Sequence, residues 1–246
     1  MSSVETILPY GGGSGKEKGV QVRHMFDNIA RRYDRLNHIL SMGFDKSWRN
    51  RSVAMLKSSN PKTILDIASG TGDLAIMMQK KLNPDKVTGA DLSEEMMDIG
   101  RDKAGRAGVS DKVAFEYQDC MSLTYTDESF DVVTAAFGVR NFESIERGMA
   151  EMYRVLKPGG HVMILELSTP RWFPMNVMYN IYSVTIIPVL SALMGLDRQA
   201  YRYLPASIKA MPQGKDMTAL LAKQGFNNTS FRTYTGGICS AYSGVK

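Results

Sequence analysis

Residues 64–73, Ile64-Leu65-Asp66-Ile67-Ala68-Ser69-Gly70-Thr71-Gly72-Asp73, set carboxylates and glycines at close spacing after an apolar run, and a second apolar segment ends at Asp91. Such a run reads as strand, tight turn and helix start, the opening of a nucleotide-binding βαβ unit. Gly70-Thr71-Gly72-Asp73-Leu74-Ala75 formally fits the relaxed dinucleotide fingerprint G-x-G-x-x-G/A, with Asp91 as its acidic residue. Two positions speak against a dinucleotide. Asp66 stands where that fold keeps an apolar strand residue, and Asp73 opens the helix whose amides would hold a pyrophosphate. Carboxylates around that place repel an anion. The ligand that suits the turn has an adenosine at one end and positive charge at the other, which describes S-adenosylmethionine with its α-ammonium and sulfonium. Asp66 and Asp73 also admit a plainer reading, as a turn carboxylate and a helix N-cap.

Ligands of open α/β sheets bind beyond the carboxyl ends of the strands, so strand ends nominate further contacts. Asp66, Gly70 and Thr71 belong to the first such end. Asp91, an acceptor-only group, is placed to take both ribose hydroxyls. Asp119-Cys120 follows the third strand and suits an adenine edge, with Asp119 accepting from the amino group and a backbone amide donating to a ring nitrogen. An Asx turn is the competing use of Asp119.

The elements that position these residues alternate as in a doubly wound sheet. Strands are expected at 62–67, 86–91, 112–117, 130–137 and 161–167, with closing strands at 227–234 and 238–245. Helices are expected at 73–82, from Ser93 onward, at 143–156 and at 215–224. Lys157-Pro158-Gly159-Gly160 is the stop signal of the third of these. No internal repeat is present. The fold expected is α/β, a mostly parallel seven-stranded sheet with an antiparallel closing strand.

At 246 residues with 43% hydrophobic content, the chain can bury one full core. Two cysteines point to a reducing compartment, and the three scattered histidines offer no metal-ligand spacing. A secretory signal is absent from the N-terminal sequence; residues 1–20, with Gly11-Gly12-Gly13-Ser14-Gly15, read as a flexible leader to a single domain over 21–246, and the protein is expected in the cytoplasm. Residues 1–57 carry the whole +5 charge surplus. Arg31-Arg32 and Arg49-Asn50-Arg51 there could face anionic lipid or be solvated helix faces. No aromatic-interleaved basic stripe supports nucleic acid as a partner.

Two stretches resemble the signatures of the ubiquinone/menaquinone biosynthesis C-methyltransferase family, which are class I S-adenosylmethionine-dependent methyltransferases. They are Tyr33-Asp34-Arg35-Leu36-Asn37-His38-Ile39-Leu40-Ser41, continuing to Trp48, and Arg154-Val155-Leu156-Lys157-Pro158-Gly159-Gly160 through Glu166-Leu167-Ser168. Phe137-Gly138-Val139-Arg140-Asn141 is similar to the family's segment after strand four. The family more often has Met at position 36, His at 45, Ser at 136 and Gly at 68, where this chain has Leu36, Asp45, Ala136 and Ala68.

The resemblance implies C-methylation of a polyprenylated quinol, demethylmenaquinol ahead of a benzoquinol. Ionising a ring hydroxyl pushes charge onto the neighbouring carbon, which attacks the sulfonium methyl, so the protein chiefly aligns the partners and excludes water. Arg140 and Asn141 are the candidates to stabilise the phenolate. Tyr33, on an N-terminal helical lid over residues 21–57, either hydrogen-bonds a quinol oxygen or packs. Residues 172–196, without a charge in 25 positions, are too broken by Pro and Asn to span a membrane comfortably. Within an apolar helical insertion at 172–212 they are expected to cover the prenyl tail and touch the bilayer surface. Two other functions stay open. One is a non-catalytic quinone-carrying partner, which a degraded turn or a lost Asp91 would favour; the other is a small-molecule O-methyltransferase, for which no metal-binding acidic set or His base stands near strand four.

Overall fold

A computed structural model describes residues 3–11, 17–186 and 198–246. Seven strands form one sheet: β1 (Thr63–Ile67), β2 (Lys86–Asp91), β3 (Val113–Tyr117), β4 (Phe130–Ala136), β5 (Leu156–Leu167), β6 (Asn227–Tyr234) and β7 (Cys239–Val245). Their order is β3-β2-β1-β4-β5-β7-β6. Strands β1 to β5 run parallel, and β7 lies antiparallel between β5 and β6. Strand order reverses between β1 and β4, which opens a crevice at their carboxyl ends.

The helices are α1 (Lys18–Leu40), α2 (Phe44–Met55), α3 (Asp73–Leu82), α4 (Glu94–Arg106), α5 (Ile145–Val155), α6 (Met175–Ile181), α7 (Arg198–Ala210) and α8 (Lys215–Lys223). Alternate residues of the central strands feed two cores. Leu65, Ile67 and Val133 pack with Met149 of α5 and Leu221 of α8, while Ile64, Val132 and Met163 pack with Met78 of α3 and Met97 of α4. Burial on both faces explains why the parallel strands are near-continuously apolar. Ser93 caps α4, its Oγ accepting the Met96 amide at 3.2 Å.

Three expectations need correction. Residues 3–6 of the expected leader form a 3-10 turn with Val4 fully buried, and Glu5 accepts the Ile145 amide at 2.9 Å; residues 12–16 lie outside the described residues. The Lys157–Gly160 stretch does not separate helix from strand. Leu156 already pairs with Phe130, and pairing resumes at Val132 and His161, so the excess residues bulge out of β5. Asp73 does not cap α3: the N-cap is Gly72, at φ 75°.

In the apolar insertion, α6 continues into a π-helical turn, Tyr182–Ile186, and residues 187–197 lie outside the described residues. Among the described residues no helix is long and apolar enough to cross a membrane.

Candidate active site

Two adjoining cavities lie in the crevice. The first, about 810 Å³ with its mouth, has Gly70 and Asp91 from the strand ends on one side and Val22, Phe26 and Tyr33 of α1 on the other. The second, about 680 Å³, is lined by Trp48, Arg49, Arg140, Tyr179 and Tyr182 among others. Tyr33 and Phe137 line both and form the shared wall. Charge differs sharply across that wall. Asp91, Asp119 and Glu143 line the first cavity against Arg23; Arg49 and Arg140 line the second against Asp45.

The chain is strained where it forms the first cavity. Ala68 sits at φ 51°, a left-handed conformation that costs a non-glycine residue about 1 kcal/mol or more. Its methyl faces Gly138, where any Cβ would collide with it. The two backbones can therefore approach only because position 138 is glycine.

Asp91 lines the cavity, its oxygens accepting the amides of Gly70 at 2.7 Å and Ser93 at 3.0 Å. A carboxylate has about four lone-pair sites, so these contacts do not exhaust its accepting capacity. Burial pushes the Asp91 carboxyl up, against the pull of those amides. Asp119 lines the cavity too, and its Oδ1 also accepts the Met121 amide at 2.8 Å. The Asx turn and a place in the cavity wall thus coexist. Cys120 lines the floor with its thiol pushed far up by burial.

Asp66 and Thr71 do not join this lining. Asp66 is 1% exposed, accepts the Thr134 hydroxyl at 2.6 Å, and is lifted by burial to about 7. Thr71 donates to Asp34 of α1 at 2.5 Å. Lys103 of α4 joins that cluster, 2.9 Å from Asp34 and in contact with Asp73. Ser93 donates to Asp27 at 2.5 Å. These polar ties hold α1 down over the first cavity, so the turn anchors α1 as well as forming the cavity wall.

After β4 a single 3-10 turn, Val139–Asn141, divides its side chains between the cavities. Asn141 lines the first and accepts the Tyr203 hydroxyl at 3.0 Å. Arg140 lines the second, 2.7 Å from Glu166. Arg140 is therefore a buried ion-pair partner, not a surface one. Lys18 donates to the Arg140 carbonyl at 3.2 Å, and burial lowers its ammonium to about 8. The Tyr33 hydroxyl is raised by burial, so it stays protonated and can donate.

Glu166, Tyr203, Asp45 and Arg49 were given no place in the site from sequence. A lone acid near the end of an apolar strand was the available signal for Glu166. Arg49 sat in a basic stretch that could have faced lipid, yet it is 6% exposed and bonded to Asp45 at 2.5 Å. Its neighbour Arg51 stacks on Tyr234 at 4.6 Å. Asp45 also accepts Ser41 at 2.8 Å and lies 3.0 Å from His38 Nδ1. Burial would raise the Asp45 carboxyl, but these hydrogen bonds and the Arg49 charge outweigh it and hold it low. Among the described residues, no group of His, Cys, Asp and Glu could hold a metal ion.

Residues 14–246 match the ubiE/COQ5 methyltransferase family. The demethylmenaquinone methyltransferase of Bacteroides fragilis is 50% identical over 98% of both chains, and that of Porphyromonas gingivalis is 44% identical over the whole of both. The ubiquinone/menaquinone biosynthesis C-methyltransferase of Geotalea daltonii is 40% identical over 94% of this chain and 98% of its own. Among solved structures, a SAM-dependent methyltransferase of Thermotoga maritima shares the fold, with a TM-score of 0.65 at 20% identity, over 91% of this chain and 99% of that one.

Proposed function

We propose that this chain, which belongs to the ubiE/COQ5 methyltransferase family and is a S-adenosylmethionine-dependent methyltransferase, methylates a ring carbon of demethylmenaquinol. The observation that carries the reading is the paired cavities: a carboxylate-lined one beside a guanidinium-lined one, divided by Tyr33 and Phe137. A cationic methyl donor suits the first, and an ionising quinol suits the second. When bound, S-adenosylmethionine supplies the electrophilic methyl group.

Within the first cavity Asp91 holds the ribose hydroxyls and Asp119 with Cys120 the adenine edge, while Gly70 keeps the chain low enough for close approach. Asp66 supports the turn from the neighbouring strand, and Thr71 ties it to α1. In the second cavity Arg140 donates to the quinol oxygen next to the reacting carbon and favours its ionised form. Glu166 fixes the guanidinium so that little reorganisation is needed during reaction. Tyr33, on the shared wall, and Asn141, on the first-cavity side, orient the ring and the methyl towards each other. Holding carbon and methyl in contact can contribute on the order of 7–11 kcal/mol in favourable cases.

The prenyl tail leaves along the insertion. Tyr179 and Tyr182 line the second cavity, while Phe173, Met178 and Val184 nearby are 78%, 60% and 74% exposed. An apolar surface of that kind suits the inner face of a membrane, with the protein otherwise in the cytoplasm, where its two buried unbridged cysteines are at home. Quinones extracted from cells lacking this protein, resolved by mass, test the assignment: demethylmenaquinone accumulates if it holds, and accumulation of a benzoquinone precursor would transfer the activity to ubiquinone synthesis.

A further inference from the structure

The second cavity holds a guanidinium that the reaction as described leaves unused. Arg49 lines it with Arg140, and the two are matched. Each is at most 7% exposed in its side chain and paired to one carboxylate, Asp45 at 2.5 Å and Glu166 at 2.7 Å. Each leaves its buried Nε without a hydrogen-bond partner. Both touch Phe137 of the dividing wall: Arg140 donates to its carbonyl, and the Arg49 guanidinium lies 5.2 Å from its ring centroid. The remaining nitrogen of Arg49 is 4.0 Å from Asp73, beyond hydrogen-bond reach.

The Nε atoms are sealed from the cavity, so a ligand acceptor meets the Nη2 groups, which make no hydrogen bond to the described residues. Held in place by its own carboxylate, each arginine presents oriented N–H groups. An aromatic ring with an oxygen on opposite sides matches two such donors. We propose that Arg49 is a second ring-oxygen ligand, binding the quinol hydroxyl para to the one held by Arg140 and thereby fixing which ring carbon faces the methyl donor. This rests on the quinol reading above and extends it to substrate orientation.

The test pairs a variant with a substrate lacking the same contact. Full-length protein is assayed with a short-tailed demethylated naphthalenediol and with the matching 1-naphthol, which lacks the far hydroxyl but keeps the reactive carbon. Arg49→Met is expected to lower kcat/KM on the diol about 10-fold to 100-fold, as loss of a charged hydrogen bond would, and on the naphthol less than about 2-fold, with Arg49→Lys in between on the diol. Equal losses on both substrates overturn the assignment and leave Arg49 a structural residue. Because Arg49→Met strands the Asp45 charge, the Asp45→Asn/Arg49→Met pair measured against Asp45→Asn gives the same comparison if the single variant does not fold. Failure of the native protein to methylate either compound would overturn the quinol reading itself, and this assignment with it.

Discussion

Glu166 grips Arg140 at two points, taking its guanidinium at 2.7 Å and its backbone amide at 3.2 Å. The contact spans 26 residues of chain and locks the turn after β4 onto the end of β5. Removing one member strands the other in a dry site. Glu166→Ala is therefore expected to cost about 3–5 kcal/mol, visible as a lowered Tm. Arg140→Lys keeps the charge but loses the planar fork; turnover per folded molecule should drop by more than the modest fall in Tm explains. Normal turnover in the folded fraction of that variant would make Arg140 purely structural.

Asp91 joins the turn after β1 to the start of α4 and faces the first cavity. Asp91→Ala should weaken S-adenosylmethionine by roughly 1.5–3 kcal/mol through a lost charged hydrogen bond, read by calorimetry, with NAD showing no binding to the native protein. Unchanged affinity in the variant would remove Asp91 from the site.

Asp66 makes the stability depend on pH. Its carboxyl is lifted by burial from 3.8 to about 7. Between those values the folded chain keeps a proton that the unfolded chain releases, so the contribution of Asp66 to stability is fully present below about 4 and is lost as pH rises to about 7. Asp66→Asn, which still accepts from Thr134, should flatten that decline in denaturant titrations run across the window. An identical slope in the variant would place the effect on other groups.

The exposed apolar side chains beside the second cavity predict surface binding. Native protein should float with vesicles in a reversible, salt-sensitive way that strengthens with anionic lipid. Met178→Glu with Val184→Glu should abolish flotation and impair a long-tailed quinol while sparing a tail-less one. Equal impairment of both substrates in an intact fold would mean that this segment serves the ring pocket instead.

The sequence showed the sheet and the cofactor side best, because those depend on local patterns. The strand and turn at Ile64–Asp73, the Ser93 cap and the strand end at Asp91 are each legible within a few residues. The second cavity was harder to read. Arg49 and Asp45 on α2, Glu166 on β5 and Tyr203 on α7 acquire their roles only when the fold joins distant segments, and Arg49 looked like one more surface charge in a basic stretch. Asp66 and Thr71 were read as ligand contacts from their place in the turn. Asp66 instead meets Thr134 on the neighbouring strand and Thr71 meets Asp34 on α1, partners that period and spacing do not reveal. The Pro-Gly-Gly stop signal failed for a related reason: β4 offers pairing at Phe130 before the bulge, and tertiary pairing prevailed over local turn chemistry.

Methyl transfer to a ring carbon of demethylmenaquinol can be followed directly. Purified protein incubated with that quinol and a donor carrying a fully deuterated methyl group should yield menaquinol with all three deuterons on the ring carbon, as read by mass spectrometry with fragmentation. Deuterons on an oxygen, or quinol recovered unlabelled under conditions where the protein binds the donor, would contradict it.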